Sequence, residues 1–216
     1  MNVLSFLVTR VLFQGSSKHS HSIEVIESFG NQKLLVNGIV QSGSYPRKLF
    51  SKGITKLSSW HTGPLKNILV LGIGGGDIFR LLSTAYPEAH ITGVDIDATV
   101  VGVAKEFFHI HTIPYTRYII ADANAYLRRA LDTNLHFDSV IIDLYTGNVI
   151  PDFVMLSSFF RKILRILRPK GSVMFNYFSY TGQKEKKLEI LVLLQKIYTD
   201  VDMVRNRRNV FYYCRV

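Results

Sequence analysis

Residues 67–97 read NILVLGIGGGDIFRLLSTAYPEAHITGVDID, and this stretch decides the fold. An apolar run, Ile68 to Leu71, enters a glycine cluster at Gly72, Gly74, Gly75 and Gly76. A helical stretch follows from Asp77 to Tyr86, and a second apolar run, Ile91 to Val94, ends on Asp95. Strand, tight turn, helix and strand make the βαβ unit of a doubly wound α/β sheet. Glycine serves such a turn because it tolerates positive φ and carries no side chain to hold a ligand off the backbone. The helix N-terminus beyond it offers free N–H groups and a partial positive charge. Asp95 stands 23 residues after Gly72, where a carboxylate reaches the ribose hydroxyls of a bound nucleoside.

Asp77 narrows the ligand. A dinucleotide fingerprint would place glycine there, and a carboxylate would repel a pyrophosphate. It favours a ligand that carries an ammonium or sulfonium, such as S-adenosylmethionine or its decarboxylated form. The plainer reading is that Asp77 only stabilises the first turn of its helix.

Outward from this unit the alternation continues. Towards the C-terminus, Asp97 caps a helix to about Phe108. Strands are expected at Tyr118 to Ala121, Phe137 to Ile142 and Ser172 to Phe178, with helices at Ala123 to Leu131, Asp152 to Leu167 and Gln183 to Tyr198. Val201 to Arg205 and Val210 to Arg215 close the chain as two strands joined by a short turn. The sum is a Rossmann-like seven-stranded sheet over residues 64–216, of the class I methyltransferase type, whose last strand is antiparallel. Residues 1–63 form a separate segment: a β-hairpin or meander at Ser22 to Gly43, turned at Gly30-Asn31 and Asn37-Gly38, then a helix from Tyr45-Pro46 towards Trp60. Gly63-Pro64 marks the boundary.

Composition bounds the function. The 216 residues are 47% hydrophobic, enough for a substantial core and against disorder. One cysteine, Cys214, excludes an internal disulfide and a cysteine-rich zinc site, which fits a cytoplasmic protein. The start, MNVLSFLVTRVLF, is interrupted by Arg10 and is too short for a membrane span, so it reads as a strand or docking segment. The formal charge is +10, with basic clusters at Arg128-Arg129, Arg161 to Lys170, Lys184 to Lys187 and Arg205 to Arg208. No recognition motif accompanies them, so solvated faces are preferred over nucleic-acid binding. His19-x-His21 and His109-x-His111 lack a third ligand nearby, so they read as solvated loops and no metal is expected.

Asp77, Asp95, Asp122 and Asp143 each follow an apolar run, which brings all four to the carboxyl ends of strands, where open α/β sheets bind ligands. Their expected roles differ: Asp77 for the ligand's charged chain, Asp95 for its ribose, Asp122, beside Ala123, for its adenine amino group, Asp143 for the acceptor. Asp97 is better explained as a cap. Asp138, at a strand start, should lie away from the site.

GIGGGD, GVDID, ADA and FDSVIID, in this order, resemble the spermidine synthase family of aminopropyltransferases. LLVNGIVQSG resembles the family's N-terminal hairpin, whose closing glutamine contacts substrate and is matched by Gln41. The resemblance runs over about Ser22 to Gly171. It implies decarboxylated S-adenosylmethionine as donor and a polyamine as acceptor. It also implies that Asp143 helps to deprotonate the attacking amine. The family follows its fourth strand with D-S-S-D-P, whereas this chain reads Asp143-Leu144-Tyr145-Thr146-Gly147. Tyr145 and Thr146 then fall on the acceptor side, with Thr146 in place of a second acid. The resemblance is therefore to spermidine synthase-like proteins that keep the nucleoside site while changing the acceptor. A methyltransferase acting on another nucleophile is the alternative, and a non-catalytic nucleoside-binding or basic scaffold is a further one. A homodimer stays open.

Overall fold

The computed structural model describes residues 9–61, 63–178 and 184–216. A four-stranded antiparallel sheet comes first, built in chain order from β1 (Arg10–Gly15), β2 (Ile23–Ser28), β3 (Asn31–Val36) and β4 (Ile39–Ser42). Asn37 and Gly38 both take positive φ, as the Asn-Gly signal requires of a two-residue hairpin turn. The preceding turn is one residue earlier than the sequence suggests. Ser28 pairs with Asn31, so Phe29 and Gly30 make the bend, and the Asn31 amide ties it by donating to the Phe29 carbonyl at 2.9 Å. Residues 1–8, which carry most of the apolar start, lie outside the described residues.

Helix α1 (Ser44–Trp60) leads to the larger sheet: β5 (Asn67–Leu71), β6 (His90–Asp95), β7 (Thr116–Ile120), β8 (Phe137–Ile142), β9 (Leu167–Phe178), β10 (Asp200–Asn206) and β11 (Asn209–Arg215). Between these strands run α2 (Asp77–Ala85), α3 (Ala98–Phe108), α4 (Ala123–Asp132), α5 (Ser157–Ile166) and α6 (Lys184–Gln195). The strand order is β10-β11-β9-β8-β5-β6-β7, parallel from β9 through β7, with β11 antiparallel to both neighbours. This is the expected seven-stranded architecture. Alternate residues of each central strand serve opposite faces. Ile68, Val70 and Ile141 pack with α1, α2 and α3, while Leu69, Leu71 and Ile142 pack with α4, α5 and α6. No described helix is long and apolar enough to cross a membrane.

Two expected elements differ. The helix read from Asp152 is a 3-10 turn, Asp152–Met155, broken from α5 at Leu156, whose extended backbone redirects the chain. The break sets Phe153 against Phe159, ring centroids 5.4 Å apart. Strand β9 begins five residues before the expected Ser172, because Leu167 already pairs with Phe137 across an irregularity containing Lys170 at φ 64°. The expected start of the last helix, Gln183, lies outside the described residues.

Gly72 fixes how closely the strand ends approach. Its N–H donates to the Val94 carbonyl at 2.8 Å, and Asp143 N–H donates to the Leu71 carbonyl at 2.8 Å. At its φ of +96°, an added Cβ would fall 2.0 Å from the Asp143 carbonyl oxygen. Gly72→Ala should therefore lower the unfolding free energy by about 2 kcal/mol or more, through strain and forced displacement. Gly102, exposed on α3 with open space at its Cβ position, is the contrast. Gly102→Ala should stabilise by roughly 0.5–1 kcal/mol. Thermal or denaturant unfolding of the two variants checks both signs.

Candidate active site

Strand β5 sits where the chain reverses direction across the sheet, with β6 on one side and β8 on the other. The loops leaving β5, β6, β7 and β8 converge at this point on the carboxyl edge, the place where such sheets bind ligands. They enclose a cleft of about 220 Å³. Gly72, Gly74, Gly75 and Asp77 line it from the first loop, Asp95 from the second, Asp122 and Ala123 from the third, and Asp143, Tyr145 and Thr146 from the fourth. Gln41 reaches it from β4. Gly76 does not line the cleft. It takes φ 84° as the residue that starts α2, and an added Cβ would meet Ile110 Cγ2 at 2.3 Å.

Each carboxylate has a distinct set of partners. Asp95 accepts from Ile73 N–H at 2.8 Å and from Asp97 N–H at 3.0 Å, which fixes the glycine loop against β6. Burial raises its pKa, opposed by these backbone donors. Asp122 caps α4 through Ala125 N–H at 2.8 Å and still faces the cleft. Asp97 caps α3 through Thr99 and Val100 N–H, and its other oxygen accepts from the hydroxyls of Ser17 at 2.6 Å and Ser20 at 2.9 Å. Asp138 accepts from Lys66 and Asn67 N–H and pairs with Arg168, at the opposite edge of the sheet.

Asp77 lies on the cleft wall but is not free. Its Oδ2 accepts from the Ser42 hydroxyl at 2.6 Å and Gly43 N–H at 2.9 Å, and its Oδ1 from Arg47 Nε at 2.8 Å. Among the described residues, none of the donors to this side chain belongs to its own helix. The guanidinium thus balances the carboxylate from within the protein.

Asp143 stands at a junction. It lines this cleft and also a second cavity of about 200 Å³ between β4, α1 and the turn joining β10 to β11. Asn176 Nδ2 donates to Asp143 Oδ1 at 2.9 Å, and Asn209 Nδ2 donates to Asn176 Oδ1 at 2.9 Å. Burial, with the nearby Asp95 charge, pushes Asp143 up to about 6 against the pull of the Asn176 amide. The Tyr145 hydroxyl donates to the Asn176 carbonyl and accepts from Phe178 N–H, which pins the loop after β8 onto β9. Gln41 Nε2 donates to the Gly147 carbonyl at 2.8 Å, closing that loop under the N-terminal sheet. Thr146 is exposed and pairs through its backbone with Val149.

The model of the spermine/spermidine synthase domain matches residues 49–207. The chain belongs to the spermine/spermidine synthase family. It is 32% identical over 114 residues to a polyamine aminopropyltransferase of Vibrio vulnificus, covering 53% of this chain and 38% of that protein. Identity to spermidine synthase 2 of Arabidopsis thaliana is 28% over 173 residues, 78% of this chain and 50% of that one. An eEF1A lysine and N-terminal methyltransferase homolog of Drosophila pseudoobscura is 29% identical over 142 residues, 63% of this chain and 21% of that one. The chain thus spans half the length, or less, of these curated relatives. Spermidine synthase from Thermotoga maritima superposes with a TM-score of 0.79 at 14% identity, covering 95% of this chain and 72% of that one. Human methyltransferase-like protein 13 in complex with SAH gives 0.69 at 21% identity, covering 77% and 82%. The fold is common to both groups, and both kinds of enzyme named among the relatives are transferases.

Around this cleft, the sequence reading missed several residues. His19 lies on the cleft wall, not in a solvated loop; its Nε2 is shielded from solvent and has no hydrogen-bond partner among the described residues. Nothing in SSKHSHS marks it, because the Asp97 bonds to Ser17 and Ser20 that hold this loop span about eighty positions. Arg47 and Asn209 were also missed. Asn176 did carry a signal: a buried amide in the otherwise apolar run SVMFNYF demands partners.

The raised Asp143 carboxyl has a stability consequence. Its proton is held more tightly in the folded chain than in the unfolded one, so the group costs stability where it is ionised, above about pH 6. The cost falls as pH drops through 6 and is gone below the unfolded value near 4. Asp143→Asn can keep the Asn176 bond through its amide oxygen. It should raise the melting temperature at pH 8, with an upper bound on the order of 3 kcal/mol. The gain should shrink steadily between pH 6 and 4, as melting curves across that range would register.

Proposed function

We propose that this chain is a transferase that binds a donor of the S-adenosylmethionine type, decarboxylated or not, in the cleft and passes its aminopropyl group to an amine held in the second cavity. The observation that carries the reading is Asp143, a carboxyl with a pKa near 6 at the boundary of the two spaces. The cleft's chemistry fits such a donor. Asp95 suits a ribose diol, Asp122 an exocyclic amine, and the acidic lining as a whole a cationic sulfur. A bound donor of this class supplies an electrophilic carbon beside a sulfonium.

Asp143 orients the amine and accepts the proton its nitrogen must lose as the N–C bond forms and the C–S electron pair returns to sulfur. The Asn176 amide fixes the carboxylate so that one oxygen is directed and the other is left for the amine. The Asp95-anchored glycine loop holds the donor's chain in line with that amine, an orientation effect that lowers the barrier independently of proton transfer.

Methyl transfer to another nucleophile is the second reading. It is favoured by the methyltransferases among the relatives and by Arg47, which balances Asp77 and lessens the need for a free donor ammonium there.

Calorimetry should find binding of S-adenosylmethionine, its decarboxylated form or their thioether products, and Asp95→Asn should weaken it by about 1–3 kcal/mol. Tighter binding of NAD would overturn the nucleoside assignment. Asp143→Asn should leave donor binding within about tenfold, under 1.4 kcal/mol, and lower turnover by about 10²-fold or more. In the native chain, turnover should fall as pH drops through about 6, where the base protonates, and this limb should vanish in Asp143→Asn. Full activity of that variant would eliminate the base.

A further inference from the structure

The second cavity is lined by one charge of each sign. Asp143 is the buried one, where this space meets the cleft. From it the amide relay Asn176 to Asn209 runs outward, and the next residue, Arg208, reaches the cavity from the β10–β11 turn. Among the described residues that line this space, Asp143 is the one acid and Arg208 the one base. Arg208 has no carboxylate within salt-bridge distance among the described residues, and its neighbour Arg207 lies over the Tyr45 ring, 5.5 Å from the centroid. The rim is therefore cationic. The walls between these charges are apolar, with Ile39, Val40, Leu49 and Phe178.

We infer that the acceptor is a small zwitterion: an amine for Asp143 at one end, a carboxylate for Arg208 at the other, and a short methylene chain between them along the apolar wall. The inference rests on the reading of Asp143 as the residue that meets the amine. A diamine satisfies Asp143 equally well, but its second ammonium then faces a guanidinium with no nearby anion to screen it. A carboxylate in that place gains a charged hydrogen bond instead. Asp143 is ionised above about pH 6, so the discrimination belongs to neutral and alkaline pH.

Putrescine and δ-aminovalerate share one methylene spacer and differ only in ammonium against carboxylate at the far end. Calorimetry at pH 8 and low salt, on the full chain with and without a bound thioether product, should give at least tenfold tighter binding of δ-aminovalerate. Arg208→Gln should abolish most of that preference, and Arg208→Glu should invert it. Arg161→Glu, the same charge change at an exposed position of α5, should leave the ratio unmoved. Arg208 is exposed on a turn, and melting curves would verify that its variants fold. Equal or tighter putrescine binding by the native chain, an unmoved ratio in Arg208→Glu, or binding of neither probe would each overturn the inference. Failure of the thioether to bind would instead count against the donor assignment, since the unloaded titration still reads the second cavity.

Discussion

The site depends on the charge of Asp77 being answered from another part of the chain. Three donors from the end of β4 and the start of α1, namely the Ser42 hydroxyl, Gly43 N–H and Arg47, converge on a carboxylate that belongs to the glycine loop of the large sheet. A buried carboxylate is costly unless it is paired and hydrogen-bonded, so the arrangement is close to all-or-none. Removing a donor leaves an under-satisfied charge at the start of α2. Keeping all three forces the N-terminal sheet to sit over the crevice. The Gln41 bond to Gly147 then closes the same roof on the opposite side, against the loop after β8. The cleft is thus roofed by a part of the chain that contributes nothing to the strand order beneath it.

Asp95 and Asp97 do comparable work for the rest of the rim. Asp95 spends its oxygens on backbone N–H groups of the glycine loop and of its own turn, which holds that loop in shape without a ligand. Asp97 anchors the loop carrying His19 through two serine hydroxyls while capping α3. The acids of this crevice therefore act first as organisers of backbone. Whatever they offer a ligand comes from lone pairs and faces left over. Asp143 differs because its hydrogen-bond partner among the described residues is a single amide, and burial, with the charge of Asp95 nearby, pushes its carboxyl up to about 6.

The parallel sheet was legible in the sequence because its signals are local. Apolar runs of strand length specify β5 through β9, and glycines at the first turn with an aspartate at or after the end of each of β5 to β8 mark the carboxyl edge. The cleft residues Asp95, Asp122 and Asp143 followed from that edge alone. What could not be read were the pairings across distance. Arg47 with Asp77, Ser17 with Asp97, and Asn209 with Asn176 join positions about thirty, eighty and thirty residues apart, and no periodicity encodes them. Asp77 shows the limit best. Its place on the cleft wall was evident from the motif, while the guanidinium that balances it was not. The break at Leu156 was hidden for a different reason: it depends on aromatic packing of Phe153 on Phe159, which a helical apolar pattern also permits.

The antiparallel strand at the far side of the sheet has a consequence for chemistry. A sheet that stayed parallel would start its last strand at the amino edge, remote from the crevice. Because β11 runs against β9, Asn209 lies opposite Phe178 and Val210 opposite Tyr177, at the carboxyl end of β9. The β10–β11 turn is thereby delivered to the same edge as Asp143, and with it Arg207 and Arg208. The reversal of one strand converts a structural edge into the outer wall of the second cavity. It also makes the charge on that wall a property of two turn residues, which can change without disturbing any strand pairing.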